Sequence, residues 1–318
     1  MGICWVNYIR NKLQIMKRIL IICLLIFISC EDFSVLEKDQ ENVFFFRNDG
    51  MIDNEFSGQL SIATFNIKFG YCQTCDPFSG EIGGDFEQLD RIADLINSLD
   101  LDIVSLQEVG LDYDVTIIQN QAEYIASKTN MNFAYGMDRA IQSGNNLFVN
   151  GFWGNAILSK YEITNLENPT IRYIDYYNQN HSLKASIKLN EETEIIVFNS
   201  HFASGSTNQE KNNQINEINN LISQINKPYI FTGDLNISYT GGIDFISQFY
   251  EEFDNSLELI DVNERNEILN SGTFINGSVL DYIFTDKTNF SIQSGMLAPN
   301  ESWEISDHYL YYVDLTKI

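Results

Sequence analysis

The sequence predicts a layered α/β protein in which mixed sheets carry helices on their outer sides. Three observations lead there. Helix-patterned and strand-patterned segments alternate through the first half, several strand-like runs follow one another directly in the middle, and no repeat or linker interrupts the chain after residue 60. One domain therefore accounts for the globular part.

The N-terminal segment stands apart. Met16-Lys17-Arg18, the apolar run Ile19 to Ile28 and Ser29-Cys30 have the charged start, short hydrophobic stretch and small residue of an export signal. The run is too short to span a bilayer as a mature helix. A small residue directly before a cysteine also resembles a bacterial lipoprotein cleavage site, although Phe27 replaces the usual leucine. Residues 1–29 are thus expected to be a signal peptide, with Met16 an alternative start. A lipidated Cys30 would tether the exported protein to a membrane of the cell envelope. Residues 30–58 are expected to be an acidic tether, with the Val43 to Phe46 run lacking partners nearby, and residues 59–318 to form the globular body.

Within that body the alternation of apolar residues predicts strands at 60–66 and 102–107. Leu89, Ile92, Ala93 and Ile96 fall on one face of a helix over 86–98, and a second helix is expected over 115–128. Strands follow near 152–158, 182–189 and 194–200, then a polar helix over 208–225 whose Ile215, Ile218, Leu221, Ile222 and Ile225 point inward. The last strands are expected at 228–232, 280–285 and 309–315.

Of five cysteines, Cys4 and Cys23 leave with the signal and Cys30 carries lipid. Cys72 and Cys75 remain, in a polar loop, and in an oxidising compartment they are expected to form a local disulfide. A zinc site lacks a second ligand pair, and a redox motif lacks its βαβ context. Removing residues 1–29 takes four cations and no acid, so the formal charge deepens from −25 to −29. Such a surface repels polyanions at long range and disfavours duplex binding through a basic face. A bound divalent cation would reverse the field locally.

Five apolar runs end on a polar side chain that water or a cation must satisfy: Asn66, Glu108, His201, the pair Asp234 and Asn236, and His308 after Asp307. Asn66 or the GDLN segment alone would be an ordinary turn, and a lone His201 an ordinary core histidine. Glu108 closing an apolar strand is costly unless paired or metal-bound. Asp234 and Asn236 stand two apart after a strand, so both side chains aim the same way. His308 has Asp307 and the separate Asp281 available to fix its tautomer.

The ordered series Asn66, Glu108, GNAILS at 154–159, NSH ending at His201, GDLN at 233–236, LDYIF at 280–284 and SDH at 306–308 resembles the endonuclease/exonuclease/phosphatase superfamily. Its members include pancreatic-type deoxyribonucleases, apurinic endonucleases, bacterial sphingomyelinases and inositol polyphosphate phosphatases. The resemblance runs over 60–315. It implies a four-layered α/β sandwich, two mixed β-sheets packed face to face with outer helices and a site at one rim. It further implies that Asn66 and Glu108 hold a divalent cation with Asp307 close by, magnesium first and manganese or calcium as alternatives. Hard oxygen ligands suit such an ion. His308, oriented by Asp281, would take a proton from the attacking water or position it. Asp234 and Asn236 would orient that water and bond the phosphoryl oxygens, and His201 would stabilise charge or assist the leaving oxygen. Asn155 is expected to be structural or at the substrate edge.

Few basic side chains accompany these blocks: Arg139, Lys160, Arg172, Lys184 and His181. The segment 167–182 is instead rich in tyrosine, suited to stack on a base or rest on lipid. The resemblance thus implies a monomeric metal-dependent phosphoesterase whose partner is a phosphodiester, in nucleic acid or a phospholipid head group. A phosphomonoesterase and a non-catalytic binding protein on the same fold are the alternatives, the latter having no need for the full set of site residues.

Overall fold

The computed structural model describes residues 42–53, 55–72, 74–75, 83–113, 116–141, 151–238, 257–259, 272–298 and 304–318. The export segment, Cys30 and residues 31–41 of the expected tether lie outside them. One compact unit starts at Asn42.

The chain forms β1 (Phe44–Arg47), β2 (Gln59–Asn66), a 3₁₀ turn (Lys68–Gly70), α1 (Phe86–Ser98), β3 (Ile103–Leu111), α2 (Gln121–Thr129), β4 (Asn132–Ala140) and β5 (Phe152–Ser159). There follow β6 (Glu162–Glu167), β7 (Thr170–Asp175), β8 (Asn178–Lys188), β9 (Glu194–His201), α3 (Asn208–Ile222), β10 (Tyr229–Asp234), β11 (Leu257–Leu259), β12 (Asp281–Asp286), β13 (Phe290–Leu297) and β14 (Tyr311–Lys317). One sheet runs β1-β4-β5-β3-β2-β14-β13, the other β11-β12-β10-β9-β8-β6 with β7 on β8. Both are mixed, since β2 pairs β3 and β9 pairs β10 in parallel while their other neighbours are antiparallel.

The sheets face each other across an apolar core that includes Ile62, Ile103, Ile157, Phe198, Phe231, Phe284 and Val313. Polar side chains are buried between them too, and several bond across from one sheet to the other. Gln107 Nε2 donates to Asn199 Oδ1 at 2.7 Å, Asn199 Nδ2 donates to the carbonyls of Leu106 and Ala156, and Thr232 Oγ1 bonds Ser105 Oγ at 2.7 Å. Because one partner of each bond comes from either sheet, these bonds fix the register of the stack as well as satisfying the groups.

The helices start where side chains supply the missing acceptors. Asp85 caps α1 through the Gln88 N–H, and Leu89, Ile92, Ala93 and Ile96 are buried as the periodicity requires. Thr207 and Glu210 form a reciprocal capping box on α3. The second helix begins at Gln121, later than 115, because Asn120 caps it and Thr116 is committed to a bridge with Gly83 and a turn back to Tyr113.

Residues 43–47 correct the tether expectation. β1 pairs antiparallel with β4, and Phe45 packs its ring 6.0 Å from Phe133 and 5.7 Å from Tyr135. The backbone then bonds Asn130 and Lys160 through Met51 and Asp53, so this stretch is part of the body. The pairing partner lies some 90 residues away, where no local pattern announces it. Strands β4, β6, β7, β11 and β13, which local pattern did not mark, complete the sheets. Cys72 and Cys75 form the expected disulfide.

Candidate active site

Parallel pairing places the site. β9 and β10 run together with His201 opposite Asp234, and antiparallel β12 begins with Asp281 opposite the same Asp234. A Cβ on Gly233 would meet Ser200 O at 2.0 Å, so that close approach needs a glycine. In the other sheet β2 ends at Asn66 beside Gln107. Glu108 does not close its strand as expected: it lies inside β3, at a bulge between Leu106 and Val109, with φ of 55°. The bulge and the left-handed backbone turn its side chain to the rim.

Seven predicted residues converge there. Asn66 Nδ2 donates to Glu108 Oε1 and to Asp234 Oδ2, each at 3.1 Å, while its Oδ1 accepts from Lys68 N. His201 Nε2 is 3.6 Å from Asp234 Oδ2 and 3.9 Å from Glu108 Oε1. Asn236 Nδ2 gives one hydrogen to Phe202 O at 2.9 Å, which leaves the other for His201 Nε2 at 3.1 Å. His308 Nδ1 meets Asp281 Oδ2 at 2.9 Å, and its Nε2 is 3.5 Å from Asp234 Oδ2. Asp234 is the hub. Asp307 stands off at the mouth, its Oδ2 3.2 Å from Lys68 Nζ, although its charge is felt by Glu108 and His308. Asn155 is buried between strands, with Nδ2 3.5 Å from His181 O, which makes it structural.

Burial sets the electrostatics. It carries the Glu108 carboxyl up to about 7 against the Asn66 hydrogen bond, and raises Asp234 against the charges of His308 and His201. It lowers His201 to about 4. Burial also pulls His308 down, but Asp281 and Asp234 overcome it and hold the imidazole at about 10. Taking a proton from the attacking water needs a free ring nitrogen, and in the metal-free chain His308 is instead held as a cation. Asp281, hydrogen-bonded to one ring nitrogen, and the Asp234 carboxylate 3.5 Å from the other are the reason.

The donor set fits a divalent cation. Asp234 and Asp281 place carboxylate oxygens within 4.8 Å of each other and of the His308 ring, although the protonated ring itself offers a metal no lone pair. Asp281 Oδ1 is buried without a hydrogen-bond partner, and burial holds two of the carboxylates in need of positive charge. A hard cation would satisfy these oxygens.

Sequence reasoning missed several supports. Lys68 lies two residues after Asn66 and pairs Asp307. Ser306 Oγ donates to Asn66 O, Thr273 Oγ1 accepts from Asp281 N, and Lys211 Nζ donates to Asn236 O at 2.5 Å. Only the short spacing of Lys68 was open to sequence; the others come from distant segments.

The comparisons agree with this geometry. The model of the "Endonuclease/Exonuclease/phosphatase family" matches residues 63–308. None of the curated proteins compared matches the chain. Among solved structures, an endonuclease/exonuclease/phosphatase from Beutenbergia cavernae is 16% identical with a TM-score of 0.63, over 81% of this chain and 72% of that one. The human Nocturnin catalytic domain with bound sulfate anion is 16% identical at 0.61, over 87% and 97%. D. rerio TDP2 complexed with single strand DNA product is 14% identical at 0.56, over 81% and 99%. These likenesses show a shared fold. With the family match spanning most of the two sheets and every residue gathered around Asp234, the chain belongs to the endonuclease/exonuclease/phosphatase family, whose members are generally phosphoester hydrolases.

Proposed function

We propose that the protein is an exported, lipid-anchored, divalent-metal-dependent phosphodiesterase. The observation that carries the reading is the convergence on Asp234 of Asn66, Glu108, His201, Asn236, Asp281 and His308. A divalent cation, with Glu108 and Asp281 the carboxylates to hold it and Asn66 beside them, would neutralise charge on the phosphoryl oxygens. Attack of a water oxygen on phosphorus breaks the ester P–O bond, and the water proton passes to Asp234, whose carboxyl burial already favours protonation. The His308 imidazolium, fixed by Asp281, balances charge on the phosphoryl group. Asn236 and His201 line the same hub and hydrogen-bond the departing oxygen, which leaves as an alcohol after taking a proton from solvent water, to which Asp234 returns the proton it received.

A diester carries one negative charge where a monoester carries two. That favours the diester in a site rich in carboxylates, and the acidic chain favours a lipid head group or single-stranded substrate over a duplex.

The mature chain should hydrolyse bis(p-nitrophenyl) phosphate only with added magnesium or manganese. Undiminished turnover after exhaustive chelation would sink the metal assignment, and no turnover with any divalent cation would sink the activity. Anchoring at Cys30 rests on the sequence of residues 16–30: Cys30→Ser should move the exported protein from the membrane to the soluble fraction, and identical fractionation of both forms would remove the anchor from the reading.

A further inference from the structure

Strand β5 is flanked by two bulges at one level. On one side Leu106 pairs Ala156 and Val109 pairs Gly154, which frees Glu108 for the site. On the other side Met137 pairs Gly154 and Arg139 pairs Trp153, so that Asp138 is the extra residue of β4. Bulges re-aim side chains, and the second one presents Arg139 at the same rim as Glu108.

Arg139 is held there in an unusual way for this molecule. Its guanidinium carbon lies 3.9 Å from the centroid of the Trp153 ring, and that ring lies 6.0 Å from the His201 imidazole, tilted by 39°. Phe69 packs edge-on against Trp153 at 4.7 Å and steadies the platform. Of the four described arginines, Arg47, Arg91 and Arg172 each pair a glutamate, but Arg139 is in no ion pair among the described residues. The adjacent Asp138 is spent elsewhere, on His181 N at 2.7 Å and Asn180 Nδ2 at 2.9 Å. Stacking occupies the face of a guanidinium and leaves its edge donors available.

We propose that Arg139 binds an anionic oxygen of the substrate's scissile phosphate at the His201 edge of the site, with Trp153 as its platform, and thereby sets affinity for the phosphoester. The assignment rests on the phosphoesterase reading and concerns a residue that none of the site blocks contains.

Inorganic phosphate is the probe. The full mature chain is titrated with it in magnesium and again in chelator, followed by tryptophan emission, with Trp153→Phe identifying the reporting ring. Arg139→Gln should weaken phosphate binding roughly ten- to hundred-fold, the usual worth of a hydrogen bond to a charged group, and Arg139→Lys should fall between. On bis(p-nitrophenyl) phosphate the same change should raise KM by about as much and leave kcat within about three-fold. Circular dichroism checks folding, and Arg139→Lys serves if the glutamine variant does not fold. Phosphate affinity and KM equal to wild type, or a loss confined to kcat, would overturn the proposal. If the wild type hydrolyses no diester at all, the proposed activity fails while the phosphate titration still decides whether Arg139 is an anion site.

Discussion

His201 and His308 flank one carboxylate at nearly the same distance, 3.6 and 3.5 Å from Asp234 Oδ2, and both are 5% exposed. Their protonation states are nonetheless opposite. His201 is pushed down to about 4 and His308 up to about 10. The difference is on the far side of each ring. His308 Nδ1 has Asp281 at 2.9 Å, whereas His201 Nδ1 is buried without a hydrogen-bond partner and the ring stacks near the Trp153 platform that carries Arg139. Burial by itself neutralises a histidine; a directly bonded carboxylate reverses the sign. One hub thus has a fixed cation on the β12 flank and a neutral imidazole on the β9 flank.

Replacing the cation should have the largest consequence. His308→Ala should lower kcat by roughly two to three orders of magnitude, as for loss of a preorganised charge at a developing anion. Asp281→Asn should damage the same step, and the double variant should be scarcely worse than His308→Ala, because the pair acts as one unit. Fully additive losses, or a folded His308→Ala protein with near wild-type turnover, would break the comparison. His201→Ala should cost less, roughly ten- to hundred-fold, since a neutral donor or acceptor contributes one hydrogen bond.

The pH dependence of stability sharpens the contrast in the metal-free chain. His308 titrates higher folded than free, so its stabilisation is complete below about pH 6.5 and is lost as pH rises through about 10. His201 titrates lower folded, so its contribution is present above about 6.5 and is lost as pH falls through about 4. Glu108 and Asp138, both raised to about 7, add a decline that is over by mildly alkaline pH. Between about pH 7.5 and 9.5 the thermal midpoint should therefore fall. His308→Gln should flatten that limb and His201→Gln should leave it; a limb that survives His308→Gln would put the proton elsewhere.

The smallest effect tests the support of the neutral flank. Thr207→Ala removes the cap of α3, whose Lys211 holds the Asn236 carbonyl. It should cost about 1 kcal/mol, a thermal shift of roughly 2–4 °C for a chain of this size, with turnover within about two-fold. A large loss of turnover would mean that α3 governs the geometry of His201 directly.

Much of this site was legible before any coordinates. Asn66, Glu108, His201, Asp234, Asn236, Asp281 and His308 each interrupt or end an apolar run, and a polar group in such a place must find a partner. Helices α1 and α3 were legible from apolar residues at helical spacing. What escaped was non-local. β1 pairs with a strand some 90 residues on, the bulges at Glu108 and Asp138 leave no mark in the pattern, and Asp307 turns to Lys68 rather than into the carboxylate cluster.

By itself the sequence determined which residues would need burial, which would need a counter-charge, and in what order the strand endings come. Those are properties of side chains and of period-two and period-3.6 patterns, which are local. Only the tertiary structure decided that His308, besides the Asp281 that the resemblance assigned to it, would stand 3.5 Å from Asp234, and that Arg139 would rest on Trp153 free of any carboxylate among the described residues. Protonation state follows from distances of a few ångströms between groups far apart in the chain. Such distances exist only once the two sheets have closed on each other.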